Sequence, residues 1–150
     1  MQYTDSKDRK FHSFLTLIDV KRSKQEGAGM KNTLIVGSTP KPYRYAHQAA
    51  EMLEANDYPF IPMGIQSGEV LGEAILNMYD KPEIPNLDTI TLYINPSRQK
   101  DWYDYLLSLH PKRIIFNPGT ENPEFKKMAE SQGIECLEAC TLVMLSIGSY

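Results

Sequence analysis

Residues 34–50 read LIVGSTPKPYRYAHQAA: an apolar run meets a glycine, then a loop with two prolines, then an alanine-rich stretch. The segment Thr33, Leu34, Ile35, Val36 is short, apolar and β-branched, and Gly37 stops it. Beyond the loop, Ala46, Ala49, Ala50, Met52 and Leu53 recur at helical spacing. The stretch therefore reads as strand, loop, helix, with the loop placed where a strand hands its chain to a helix N-terminus.

The same alternation continues to the end of the chain. Strand signals fall at 59–63, 87–95, 113–117 and 134–138, and helical signals at 97–109, 123–132 and 140–147. His110-Pro111 and Gly133 stop two of these helices. Parallel neighbours need crossover connections, and helices supply them, so the pattern predicts an α/β fold. The expected architecture is a doubly wound, Rossmann-like parallel sheet of five strands with helices on both faces. Ligands of such sheets bind beyond the carboxyl ends of the strands, where strand order reverses. Those ends carry Gly37-Ser38-Thr39-Pro40, Pro62-Met63-Gly64, Asn95-Pro96-Ser97 and Asn117-Pro118-Gly119-Thr120.

Composition narrows the classes of function. A chain of 150 residues, 41% hydrophobic, has the size and the core of one ordinary domain. Its 16 basic and 19 acidic residues give a net charge of −3, which offers no broad basic face to nucleic acid. No apolar run approaches the ~20 residues that a membrane span requires. Cys136 and Cys140, without a secretory signal, fit reduced thiols in a cytoplasm. Residues 1–29 stand apart: they carry net +2, one short apolar run at 14–18, and no place in the alternating pattern. They read as an extension, either upstream of a translation start at Met30 or a native arm, and 30–150 as the ligand-binding domain.

The loop after the first strand suits an anion. Gly37 lets backbone approach a ligand, and the amides of Ser38, Thr39 and the helix start near Tyr45 present positive dipole to a pyrophosphate. Lys41 and Arg44 add charge, and Pro40 and Pro42 stiffen the loop while removing donors. Gly37→Val is then expected to abolish binding at modest cost to the fold. A plain rigid turn, with Ser38 or Thr39 capping the helix, fits the spacing equally well. A nicotinamide dinucleotide fits it worse. That ligand calls for two more glycines and an acid ending the second strand, whereas the residue 20 places on, Asp57, precedes that strand.

On VGSTPKPYRYAHQAAEML, GEVLGE at 68–73, IFNPGTENPEF at 115–125 and EACTLVML at 138–145, the chain resembles the small stand-alone CoA-binding domain proteins. These are related in fold to the CoA-binding domain of succinyl-CoA synthetase. The resemblance covers nearly all of 31–150. Pro42 and Arg44 fall where the family's VGAS-x-x-P-x-R signature has its proline and arginine, and Asn117-Pro118-Gly119 stands for its QPG. Gly64-Ile65 and Ile94-Asn95-Pro96 depart from the usual Asn-Pro and Phe-Arg-Pro. The likeness implies binding of coenzyme A or an acyl-CoA, a small-molecule nucleotide ligand, without established catalysis. The loop residues Gly37 to Pro42 with Arg44 and Tyr45, together with Asn95, Pro96, Asn117, Pro118 and Gly119, are the expected cofactor-binding set.

No catalytic or metal set emerges beside it. Cys140 opens the last helix, where a dipole favours thiolate, but such cysteines are usually buried filler. His12, His47 and His110 share no metal-ligand spacing with the cysteines. Trp102, Tyr103 and Tyr105 form a helical cluster that reads first as core and second as a homodimer contact. Two functions stay open: a non-catalytic sensor or carrier working through an unknown protein partner, and an enzyme acting on an acyl-CoA or other nucleotide-bearing substrate.

Overall fold

The computed structural model describes residues 31–150; the expectations for residues 1–29 lie outside that span. The first strand, β1 (Thr33–Val36), is buried at all four positions, as a central parallel strand covered on both faces must be. Helix α1 (Tyr45–Ala55) packs Ala46, Ala49, Ala50 and Leu53 inward. Then follow β2 (Phe60–Gly64), the two-residue strands β3 (Glu69–Val70), β4 (Glu73–Ala74) and β5 (Leu76–Asn77), and a 3₁₀ turn at Met78–Asp80. Strand β6 (Thr89–Leu92) leads into α2 (Pro96–Gln99), a 3₁₀ turn at Lys100–Trp102 and α3 (Tyr103–Ser108). The chain ends with β7 (Arg113–Phe116), α4 (Pro123–Ser131), β8 (Glu135–Glu138) and α5 (Thr141–Ser146).

The main sheet has the order β5-β2-β1-β6-β7-β8, and every pairing in it is parallel. Six strands form, one more than expected. The addition is β5, which pairs only Leu76 with Met63 and Asn77 with Gly64. A two-residue strand is too short to give a periodic signal. The GEVLGE motif supplies the separate antiparallel pair β3–β4. The helix expected over 97–109 is interrupted by its 3₁₀ turn.

Alternation along the strands divides the core. Leu34, Val36, Ile90, Leu92, Ile114 and Phe116 pack on one face with Trp102, Leu106 and Phe125, whereas Ile35 and Ile115 pack on the other with Ala50, Leu53, Met144 and Leu145. Helix α4 is fixed by its own sequence: Asn122 Oδ1 accepts from the Phe125 amide at 3.0 Å, Pro123 takes the first turn, and Glu124 meets the dipole there. Among the described residues no helix is long and apolar enough to cross a membrane.

Strand order places the site. From β1 the chain moves outward to β2 and β5, then returns to lay β6 on the opposite side of β1. Connections leave in opposite directions there, so a crevice opens at the carboxyl ends of β1 and β6.

Candidate functional site

Gly37 closes β1 at that crevice. Its φ is +101°, and a Cβ there would lie 3.0 Å from the Tyr93 carbonyl carbon and oxygen and 3.0 Å from Ile94 Cγ2. The glycine is needed because the loop crosses hard against the backbone leaving β6. Beside it, a Cβ on Gly64 would sit 2.5 Å from the Ser38 carbonyl, so the loops after β1 and β2 are in backbone contact.

The loop's donors divide into those already used and those left over. Gly37 N–H and Ser38 N–H both donate to the Met63 carbonyl at 2.9 Å. Ser38 Oγ donates to the Ile35 carbonyl, and the residue is buried. The Ser38 amide expected to face a phosphate is therefore engaged within the fold, where it ties β1 to β2. Thr39 Oγ1 donates to Gln66 Oε1 at 2.9 Å and accepts from the Lys41 amide. Neither Ser38 nor Thr39 caps α1, whose N-cap residue is Arg44 and has no capping side chain. Tyr45 and Ala46, in the first turn of the helix, where amides have no intrahelical partner, line the crevice.

The crevice is a groove of about 1000 Å³. Of the expected set, Gly37, Thr39, Lys41, Arg44, Tyr45 and Asn95 line it. Asn95 also caps α2, accepting from the Arg98 amide at 3.1 Å and the Ser97 hydroxyl at 2.7 Å, with Pro96 in the first turn. The residues outside the expected set that add to the walls include Gln66, Tyr79, Lys81 and Arg98. Lys41, Arg44, Lys81 and Arg98 give the groove four cations against one carboxylate, Asp101. In an acidic chain this is a local concentration of positive charge, the kind of surface whose field attracts anions. Asp57 lies in the turn before β2 and does not line the groove, and no acid ends β2.

Asn117, Pro118 and Gly119 do not line the groove. Asn117 is 2% exposed, and its side chain is committed to the fold. Its Nδ2 donates to Thr91 Oγ1 at 2.7 Å and to the Leu92 carbonyl at 2.9 Å, and its Oδ1 accepts from the Thr141 amide at 2.8 Å. It thus joins β6, β7 and the start of α5. The turn it begins reaches the groove only indirectly, through Gln99, which is fully buried and donates to the carbonyls of Ile94 and Thr120 at 2.9 and 2.8 Å. Asn117→Ala strands the Thr141 amide and Leu92 carbonyl, so a loss of about 2 kcal/mol is expected in urea unfolding. An unchanged midpoint would contradict that role.

Both cysteines lie apart from the groove lining. Burial, with Glu130 nearby, pushes the Cys136 thiol up to about 11, so it stays protonated at neutral pH. Cys140 precedes α5 and lies outside the groove. No cluster of His, Cys, Asp and Glu able to hold a metal occurs among the described residues. Tyr103, Tyr105 and Trp102 are buried, in line with the core reading. A second groove, of about 1140 Å³, opens between the 81–88 loop and α3, at the opposite end of β6. It is lined by Lys81 and Lys112 together with Glu83, Asp88 and Asp104, which leaves no net positive charge to attract an anion.

A parallel sheet with a cationic groove at its switch point puts the fold in the α/β Rossmann-like class, and comparison with known proteins gives the family. Residues 31–146 match the family model described as CoA binding domain, and the chain belongs to that family. A crystal structure of an uncharacterised protein is similar at 53% identity and a TM-score of 0.78, over 81% of this chain and 99% of that one. A Thermus thermophilus structure shares the fold at 22% identity and a TM-score of 0.69, over 87% and 98%. A hypothetical protein from Pyrococcus horikoshii OT3 does so at 20% identity and 0.69, over 88% and 89%. No curated protein matches.

Proposed function

We propose that the protein binds coenzyme A or an acyl-CoA in the β1–β6 groove and works as a non-catalytic sensor or carrier. The observation that carries this reading is the presence of Lys41, Arg44, Lys81 and Arg98 in the lining of a groove with a single acid. CoA brings a pyrophosphate and a separate 3′-phosphate monoester, the latter worth about −1.5 to −2 charges at neutral pH. NAD carries the pyrophosphate alone and offsets part of it with a cationic ring. Four cations suit the more highly charged ligand. Family membership supports the same ligand. The pyrophosphate faces the amides of Thr39, Tyr45 and Ala46, and Arg44 supplies a charge-assisted contact.

Trp102, the one tryptophan of the chain, lines the groove and offers a direct readout. Titration with CoA should change its emission saturably, and a flat response would remove the groove from the account. The carrier reading also makes Cys140 dispensable. Cys140→Ser should bind CoA within about twofold of wild type, and neither protein should release thiol from acetyl-CoA above the buffer rate. Thiol release that depends on Cys140 would replace the carrier with an enzyme.

A further inference from the structure

The groove has a second character besides charge. At the end formed by the β2 and β5 connections, Ile65 and Tyr79 are 56% and 70% exposed, large values for apolar and aromatic side chains. Tyr79 is held in place without being covered. Its amide donates to Asn77 Oδ1 at 2.9 Å, and its ring stands edge-on to Trp102, with centroids 5.2 Å apart and planes at 67°. An edge-on contact leaves a face of the Tyr79 ring unused. Gln66 and Lys81 line the same groove and supply polar groups to it.

An acyl chain needs an enclosed apolar channel to leave water, and this end is open. A flat heteroaromatic base needs a single face to lie on and polar atoms around its edge. We infer that Tyr79 is the stacking platform for the adenine ring of the ligand, with Gln66 and Lys81 at the rim of that subsite. The inference rests on the CoA reading above and extends it to a residue that determines which end of the ligand lies where. Stacking of a base on an aromatic side chain is typically lost as about a fivefold to hundredfold drop in affinity on alanine substitution.

The test compares wild type, Tyr79→Phe and Tyr79→Ala as full chains, titrated with CoA, ADP and inorganic pyrophosphate. Tyr79→Phe should bind all three within about twofold of wild type, because the ring remains. Tyr79→Ala should lose about fivefold to hundredfold toward CoA and ADP and keep its affinity for pyrophosphate. Its melting temperature should hold, since the ring is largely in solvent. If wild type binds CoA and Tyr79→Ala binds CoA and ADP equally well, the platform is wrong and the CoA site stands. If Tyr79→Ala weakens pyrophosphate as much as ADP, the ring shapes the whole groove and the stacking role fails. Absence of CoA binding in wild type overturns both.

Discussion

Gly37→Val is expected to lower the melting temperature by about 10 °C or more, through a destabilisation of about 3 kcal/mol. Two causes add. A β-branched residue at φ +101° occupies a region that sterics nearly close to it. Its Cβ also meets the Tyr93 carbonyl at 3.0 Å, and that contact is backbone, which cannot swing aside as a flexible side chain does. The displaced segment would carry the Gly37 and Ser38 hydrogen bonds to Met63 with it. The modest cost expected from the sequence is thus corrected: loss of ligand in this variant follows loss of fold. Thermal unfolding by circular dichroism decides the matter, and a melting point within about 2 °C of wild type would contradict the geometry.

Replacing Arg44 and Arg98 together by glutamate is expected to weaken CoA binding by about a thousandfold while leaving the melting temperature within about 2 °C. Each charge-assisted contact to phosphate is worth about 1.5–3 kcal/mol, and Arg44→Ala alone should cost about tenfold to a hundredfold. Reversal adds repulsion to that loss. Both arginines are exposed, and neither forms an ion pair with a described carboxylate, so the fold has little to lose. Salt supplies the control. Wild-type affinity should fall as salt screens the four cations, whereas the residual affinity of the double variant should be nearly flat with salt. Calorimetry at two salt concentrations reads both effects, and a double variant that binds within tenfold of wild type would refute the cationic site.

The sheet was legible because its strands carry their own signals. TLIV, TITL and RIIF are buried at all four positions and are dense in β-branched and apolar residues, and the helices between them keep their spacing. Strand β5 was hidden because its two residues are defined by the neighbour they pair with. That gap had a functional cost: Tyr79 and Lys81 follow β5 directly, so nothing in the local sequence brings them to the groove. Arg98 was more accessible to inference, since it lies four residues beyond Ile94 in a turn already placed at the rim. Asn117 shows the opposite failure. It stands at a strand's carboxyl end beside a proline-glycine turn, as a ligand-binding residue does, but its side chain is used up joining β6 to α5. Which amides of the Gly37–Arg44 loop remain free was likewise beyond sequence, because the Met63 carbonyl that occupies two of them comes from another strand.

The central claim is that this groove is built for the charge of coenzyme A, and calorimetry of the wild-type chain with CoA, dephospho-CoA, NAD and ATP tests it most directly. The expected result is tightest binding to CoA, a measurable loss on removing the 3′-phosphate, and weak binding of NAD. Binding of NAD more tightly than CoA, or no heat with CoA at all, would contradict it.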